Sequence, residues 1–292
     1  LSHKIVARDA GLIYKKGDDH LSKYLISNSY DVSDAFGGTA IDKKGNLHAY
    51  RKEIKDPLWQ HQIVNDIPEI AKEGFNAIAS NSNGQFMVIW LDLRGNKKNK
   101  LMSAMSKNDG VNWESNKLIY ASPDSSICEC CQPNIIFNQN RISIMFRNWI
   151  NGSRDMYTIH SFDEGKTFKS IEKQGEGTWK LNACPMDGGS LAFTKENKVV
   201  SVWRREGNLF VSKEGIAQET KISDGRNASI SAGQKAISVV WHQQGKIYIK
   251  SPQHSETQLI GEGRYPIIKT INNKESITIW ENQGDIYGKL LN

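Results

Sequence analysis

Four cysteines fall in two short segments, Cys128-Glu129-Cys130-Cys131-Gln132-Pro133 and Cys184-Pro185-Met186-Asp187. Thiols and thioethers are the softest donors a protein carries, so such a set suits monovalent copper or zinc. Cys128, Cys130, Cys131, Cys184, Met186 and Asp187 are the candidate ligands. The same thiols suit a disulfide staple, because an even, clustered count fits an oxidising compartment. Their spacing cannot choose among the possible pairings, and there is no C-x2-C pair with a second pair at zinc-finger distance. The staple is therefore the preferred expectation, copper or zinc the competing one, and no obligate cofactor is expected. A thiol nucleophile ranks third, since neither segment holds a histidine to activate it.

The surrounding chain is built from repeats, each an apolar strand, a turn and a second apolar strand ending in an aromatic. The copies centre on Gly38–Ile41 with Leu47–Tyr50, Phe75–Ala79 with Phe86–Trp90, Asn134–Phe137 with Ile142–Phe146, Gly189–Phe193 with Val199–Trp203, Ala228–Ser231 with Ala236–Trp241, and Tyr265–Ile268 with Ser276–Trp280. Their apolar residues alternate or run in short blocks, which argues for strands over helices. Six copies, each with a further strand behind it, predict an all-β, six-bladed β-propeller occupying residues 1–292 as one domain. The last copy runs out of residues, so an N-terminal strand, Lys4–Ala7 or Gly11–Tyr14, is expected to close the ring and remove an open edge. In such a fold the segments entering the inner strands form the mouth of the channel, and both cysteine segments enter inner strands of adjacent copies.

One turn has a specific form. In Ser161-Phe162-Asp163-Glu164-Gly165-Lys166-Thr167-Phe168, Ser161 and Asp163 can cap turn amides, and Gly165 supplies a left-handed position. The pattern resembles the Asp-box of sialidase-like propellers (BNR repeats). Ser106-Lys107-Asn108-Asp109-Gly110-Val111-Asn112-Trp113 is a worn second copy with Asn in place of the Asp and the Thr.

The sialidase resemblance implies a site at the channel mouth. Sialidases hold a substrate carboxylate with three arginines, whose planar forks match an anion. They add an acid/base Asp and a Tyr nucleophile paired with a Glu. Arg264-Tyr265-Pro266 resembles the first arginine motif, with the ring permuted by one blade. In that register Asp285 falls where the acid/base Asp belongs, Arg147 is the second arginine, and Arg204 or Arg205 is the third. Gln132, or Glu129 after a slip, stands at the Glu position, and Ala228 stands where the Tyr is expected. Trp149, beside Arg147, is a candidate to stack on a sugar ring. Ala228 cannot be a nucleophile, so the resemblance implies binding with little or no hydrolysis.

Composition narrows the remaining classes. A net charge of +6 has its one tight basic run at Lys97, Lys98 and Lys100, which reads as a solvated loop, so no nucleic-acid partner is expected. No segment is apolar and long enough to span a membrane. The chain shows no N-terminal hydrophobic signal, and the fold and cysteines together point to a processed periplasmic or secreted protein, taken as a monomer. Three readings follow: an anion-binding propeller whose partner is an anionic glycan or small carboxylate ligand, a soft-metal-binding protein, and an active sialidase-type hydrolase with a rearranged nucleophile.

Overall fold

The structure, a computed structural model, describes residues 11–13, 24–27, 35–53, 58, 60–81, 83–124, 126–216, 218–233, 237–251, 256–270 and 275–291. The described residues contain strands and turns and no helix. They form six antiparallel sheets taken up in chain order. The first comprises Gly11–Ile13, Tyr24–Ser27, Ala35–Ile41, Leu47–Glu53 and Gln60–Ile63; the second comprises Asn76–Ser80, Phe86–Asp92, Lys100–Ser106 and Lys117–Ala121. The third has Asn134–Asn138, Arg141–Ile150, Ser153–Ser161 and Lys169–Lys173, with the short Ser126–Ile127 added beside Asn148 and Trp149. The fourth has Ser190–Phe193, Val199–Arg205, Asn208–Lys213 and Thr220–Asp224; the fifth has Arg226–Ala232, Ile237–Gln243, Lys246–Lys250 and Gln258–Glu262. The sixth has three strands, Arg264–Thr270, Ser276–Asn282 and Asp285–Leu291.

The expected repeat is visible in the packing. In the second, fourth, fifth and sixth sheets the second strand is the most buried, and Phe86–Asp92 is buried at every position. Outer strands Lys117–Ala121, Thr220–Asp224 and Gln258–Glu262 share one pattern, exposed at both ends and half-buried between. An aromatic on the second strand stacks on its register partner in the third: Trp203 on Phe210 at 6.1 Å, Trp241 on Tyr248 at 6.0 Å and Trp280 on Tyr287 at 6.3 Å between ring centres. First strands of successive sheets touch in chain order, and side-chain oxygens of one cap amides of the next. Thus Leu191 N–H donates to Asn134 Oδ1, Ile230 N–H to Ser190 Oγ and Ile268 N–H to Ser229 Oγ, at 3.0, 3.2 and 3.2 Å.

Both octapeptides make the same turn. Ser161 Oγ accepts the Gly165 amide at 2.9 Å and Asp163 Oδ1 accepts the Thr167 amide at 2.9 Å. In the second copy Ser106 Oγ accepts from Gly110 at 2.9 Å and Asn108 Oδ1 from Asn112 at 3.0 Å. An Asn side-chain carbonyl replaces the carboxylate without loss of the backbone bond, so the worn copy keeps its shape.

The N-terminal strand differs from the expectation. Gly11–Ile13 pairs with Tyr24–Ser27 at the edge of the first sheet, not with the sixth, and Lys4–Ala7 lies outside the described residues. Pairing with a strand about a dozen residues away closes a short loop, which costs less entropy than reaching the far end of the chain.

Candidate functional site

Two side-chain groups gather at the end of the molecule where the first strands begin. The first is an arginine cavity at the fourth, fifth and sixth sheets. Arg204, Arg226, His242 and Arg264 line a cavity of about 410 Å³ together with Gln243, Gln244 and three glycines. Arg226 and Arg264 are delivered in the same way. Each follows a glycine, Gly225 or Gly263, whose φ of +148° or +141° brings the chain, without a Cβ, close against the second strand of the sheet it enters. A Cβ at Gly263 would lie 2.2 Å from the Glu281 carbonyl oxygen, and one at Gly225 would lie 2.5 Å from the Trp241 ring. Each arginine is then followed by a bulge with a left-handed residue, Asn227 at φ +50° and Tyr265 at φ +52°. Such bulges turn a side chain away from the ladder.

Both exposed guanidiniums, Arg226 and Arg264, form no hydrogen bond or ion pair with any described residue. Arg204 donates to the Pro185 carbonyl at 3.3 Å, stands 3.7 Å from Asp187 Oδ2 and leaves its Nε unbonded in the interior. His242 is buried, with the edge of Tyr265 against it and Nδ1 unbonded. Burial, and then the charges of Arg226, Arg264 and Arg204, pull its pKa down to about 4, so it is neutral at pH 7. Asp187 lies beneath, 2% exposed, accepting the Asn227 amide at 3.1 Å. Burial pushes its pKa up, against that amide and the arginines Arg147, Arg204 and Arg226.

The arginines expected from sequence divide accordingly. Arg264 and Arg204 line the cavity. Arg147 does not reach it: 1% exposed, it donates to the carbonyls of Asp187, Arg154 and Arg204 at 3.2, 2.7 and 3.0 Å and lies over the Trp179 ring. A buried charge needs its donors satisfied, and three carbonyls do that here. Arg205 points away, forks onto Glu219 and stacks on Phe210 at 4.0 Å. Trp149 takes the Arg154 guanidinium on its face at 4.4 Å, so it is not at the cavity. Asp285 is exposed at the start of the third strand of the sixth sheet, two strands out from Arg264, and does not line the cavity. Arg226 went unnoticed in the sequence reading. Its signal was the dipeptide Gly225-Arg226, which recurs as Gly263-Arg264 at the same point of the next repeat.

The second group is the cysteine cluster. All four cysteines are free thiols. The Sγ atoms of Cys128, Cys130 and Cys131 lie within 4.8 Å of one another, with Cys128 to Cys131 at 2.9 Å and Cys128 to Cys130 at 3.6 Å. Cys128 is positioned by its amide, which donates to the Arg147 carbonyl at 2.9 Å. Arg154 Nη1 donates to Cys128 Sγ at 3.1 Å while both its terminal nitrogens bond Glu129 at 3.2 Å. The exposed Cys184 and the Met186 amide lie near Cys130, outside the three-sulfur group. Cys131 and then burial set opposing influences on Cys130, and with Cys184 and that amide its pKa falls to about 5. Burial pushes Cys131 up, and sharing with Cys130 pushes Cys184 up to about 11. Met186 and Asp187 do not join as ligands: the Met186 side chain is 57% exposed, and Asp187 faces the arginines.

No protein-family profile matches the sequence, and no curated protein matches it. Solved structures do. A Hadza microbial sialidase, Hz136, superposes with a TM-score of 0.55 at 15% identity, over 97% of this chain and 65% of that one. The BP39L lectin from Burkholderia pseudomallei gives 0.61 at 13% identity, over 91% and 80%. The Aleuria aurantia lectin, described as a six-bladed β-propeller with a fucose recognition mode, gives 0.53 at 12% identity, over 88% and 86%. The chain therefore spans about 65% of the sialidase's length. Likeness at such identities speaks to the fold alone: the chain is similar in architecture to the β-propellers of the sialidase and the lectins.

Proposed function

We propose that the protein binds a carboxylate-bearing ligand, an anionic glycan or small acid, in the cavity between Arg204, Arg226 and Arg264. The observation that carries this reading is that Arg226 and Arg264 point into one cavity with no anionic partner among the described residues, beside a neutral histidine. Unpaired cations of one sign around a concave surface focus a field that attracts anions, and guanidinium forks bind carboxylates with two parallel bonds. The lectin and sialidase propellers, which share the fold, make a sugar acid a natural class to test. Binding without turnover is the favoured form. The cavity lining offers arginine, histidine, glutamine and glycine, and Ala228 is a buried packing residue. An extracytoplasmic setting, where such glycans are met, belongs to the same reading.

The test is calorimetric titration with N-acetylneuraminic acid, glucuronic acid and, as a neutral control, L-fucose. At least one acid is expected to bind, fucose weakly or not at all, and Arg226→Ala or Arg264→Ala to lower affinity at least about tenfold, since a charge-assisted bond contributes roughly 1.5–3 kcal/mol. Fluorogenic sialoside hydrolysis is expected to be negligible. Equal binding of fucose, unaffected by either substitution, would overturn the anion reading; hydrolysis abolished by Asp285→Asn would replace binding with catalysis.

A further inference from the structure

We propose that Cys128, Cys130 and Cys131 form a trithiolate site for a monovalent copper ion, separate from the arginine cavity. Three buried sulfurs from one short segment converge, all within 4.8 Å of one another. Metal–thiolate bonds of about 2.3 Å would set sulfurs roughly 3.7–4.0 Å apart, so an ion needs only a modest opening of the cluster. Soft thiolates select soft d10 ions, monovalent copper and zinc among them.

The surroundings favour thiolates over a disulfide. Disulfide sulfurs are neutral and poor acceptors, yet here a guanidinium donates to Cys128 Sγ at 3.1 Å. Arg154 is fixed in place by Glu129 at 3.2 Å and by the face of Trp149 at 4.4 Å. This is the outer-shell support that metal-bound sulfur requires. The neighbouring segment is held tightly over the site, because Gly188 packs against the Gln132 carbonyl where a Cβ would come within 2.3 Å.

Coordination number decides between the two ions. A closed zinc site takes four ligands, whereas monovalent copper is satisfied by three thiolates. Cys184 is exposed and stands outside the three-sulfur group, so copper leaves it dispensable and zinc would recruit it.

The experiment uses the full chain, reduced and handled without oxygen, titrated with monovalent copper buffered by bathocuproine disulfonate. One copper per chain is expected. N-ethylmaleimide should then label Cys184 while Cys128, Cys130 and Cys131 are protected, as read by peptide mass spectrometry. Removing an outer-shell partner typically costs about 10–100-fold in metal affinity, so Cys131→Ser is expected to exceed that range, Arg154→Met to fall within it, and Cys184→Ser to change little. The protection pattern of the unmodified chain decides the matter if Cys131→Ser does not fold. Failure to withdraw copper from an equimolar chelator overturns the proposal. So does protection of Cys184 alone, a Cys128–Cys131 disulfide that resists the reductant, or tighter zinc binding that depends on Cys184.

Discussion

At the scale of single residues, two arginines given the same role by the sequence have opposite fates. Arg147 is an internal brace. Removing its guanidinium leaves the carbonyls of Asp187, Arg154 and Arg204 short of a donor, at about 1–3 kcal/mol for each buried group. Arg147→Ala should therefore lower the denaturation midpoint markedly, while the exposed Arg264→Ala stays within about 0.5 kcal/mol of the parent in stability. His242 supplies a pH signature for the cavity. Its free-state pKa near 4 is depressed by burial and by Arg226, Arg264 and Arg204. A bound carboxylate offsets those cations and raises the pKa, so binding takes up a proton. Affinity for a strong sugar acid should increase as pH falls from about 6.5 toward 4, and His242→Gln should flatten that profile. In the unliganded chain the same depression works the other way: stability is full above about pH 6.5 and declines as the unfolded state takes up the proton first.

At the scale of elements, the unit that builds the cavity is glycine, arginine and bulge. Gly225 and Gly263 let two successive first strands start close against the second strand of their own sheet, and the left-handed Asn227 and Tyr265 then turn the ladder. Gly263→Ala meets the Glu281 carbonyl and the Trp280 ring, so it must displace backbone. Thermal unfolding should show a loss well above the roughly 1–2 kcal/mol of a left-handed alanine alone, together with loss of acid binding. Gly284 is the control: its φ is +86° and an added Cβ meets nothing within 4 Å. Gly284→Ala should show only the conformational cost and leave binding intact. Equal effects of the two substitutions would mean that the close approach at Gly263 does not position Arg264.

At the scale of the whole molecule, the sheets follow one another in chain order, so each sheet packs chiefly against its sequence neighbours. Among the described residues the sixth sheet has three strands, and Gly11–Ile13 belongs to the first. Deleting residues 1–16 therefore removes a three-residue edge strand from the first sheet. A fall of a few degrees in Tm is expected by calorimetry. A collapse of the cooperative transition would instead assign ring closure to residues 1–10. Among the described residues, no helix is long and apolar enough to cross a membrane.

The repeat, the strand class and the two capped turns were legible in the sequence because they rest on local chemistry. Period-two patterning, glycine at left-handed positions and an Asp or Asn accepting a turn amide act within a few residues. Arg264, Arg204 and the meeting of the two cysteine segments were also legible, since the repeat register places them at one end. Tertiary structure decided what each of these groups faces. Arg147 and Arg204 both close an apolar second strand, yet one is saturated by carbonyls from three segments and the other reaches the cavity. Asp187 follows Met186 in the same motif but turns inward to the arginines, while Met186 turns out to solvent. Such outcomes depend on side chains some 40 positions away, as with Asp187 and Asn227, and local sequence carries no term for contacts of that range.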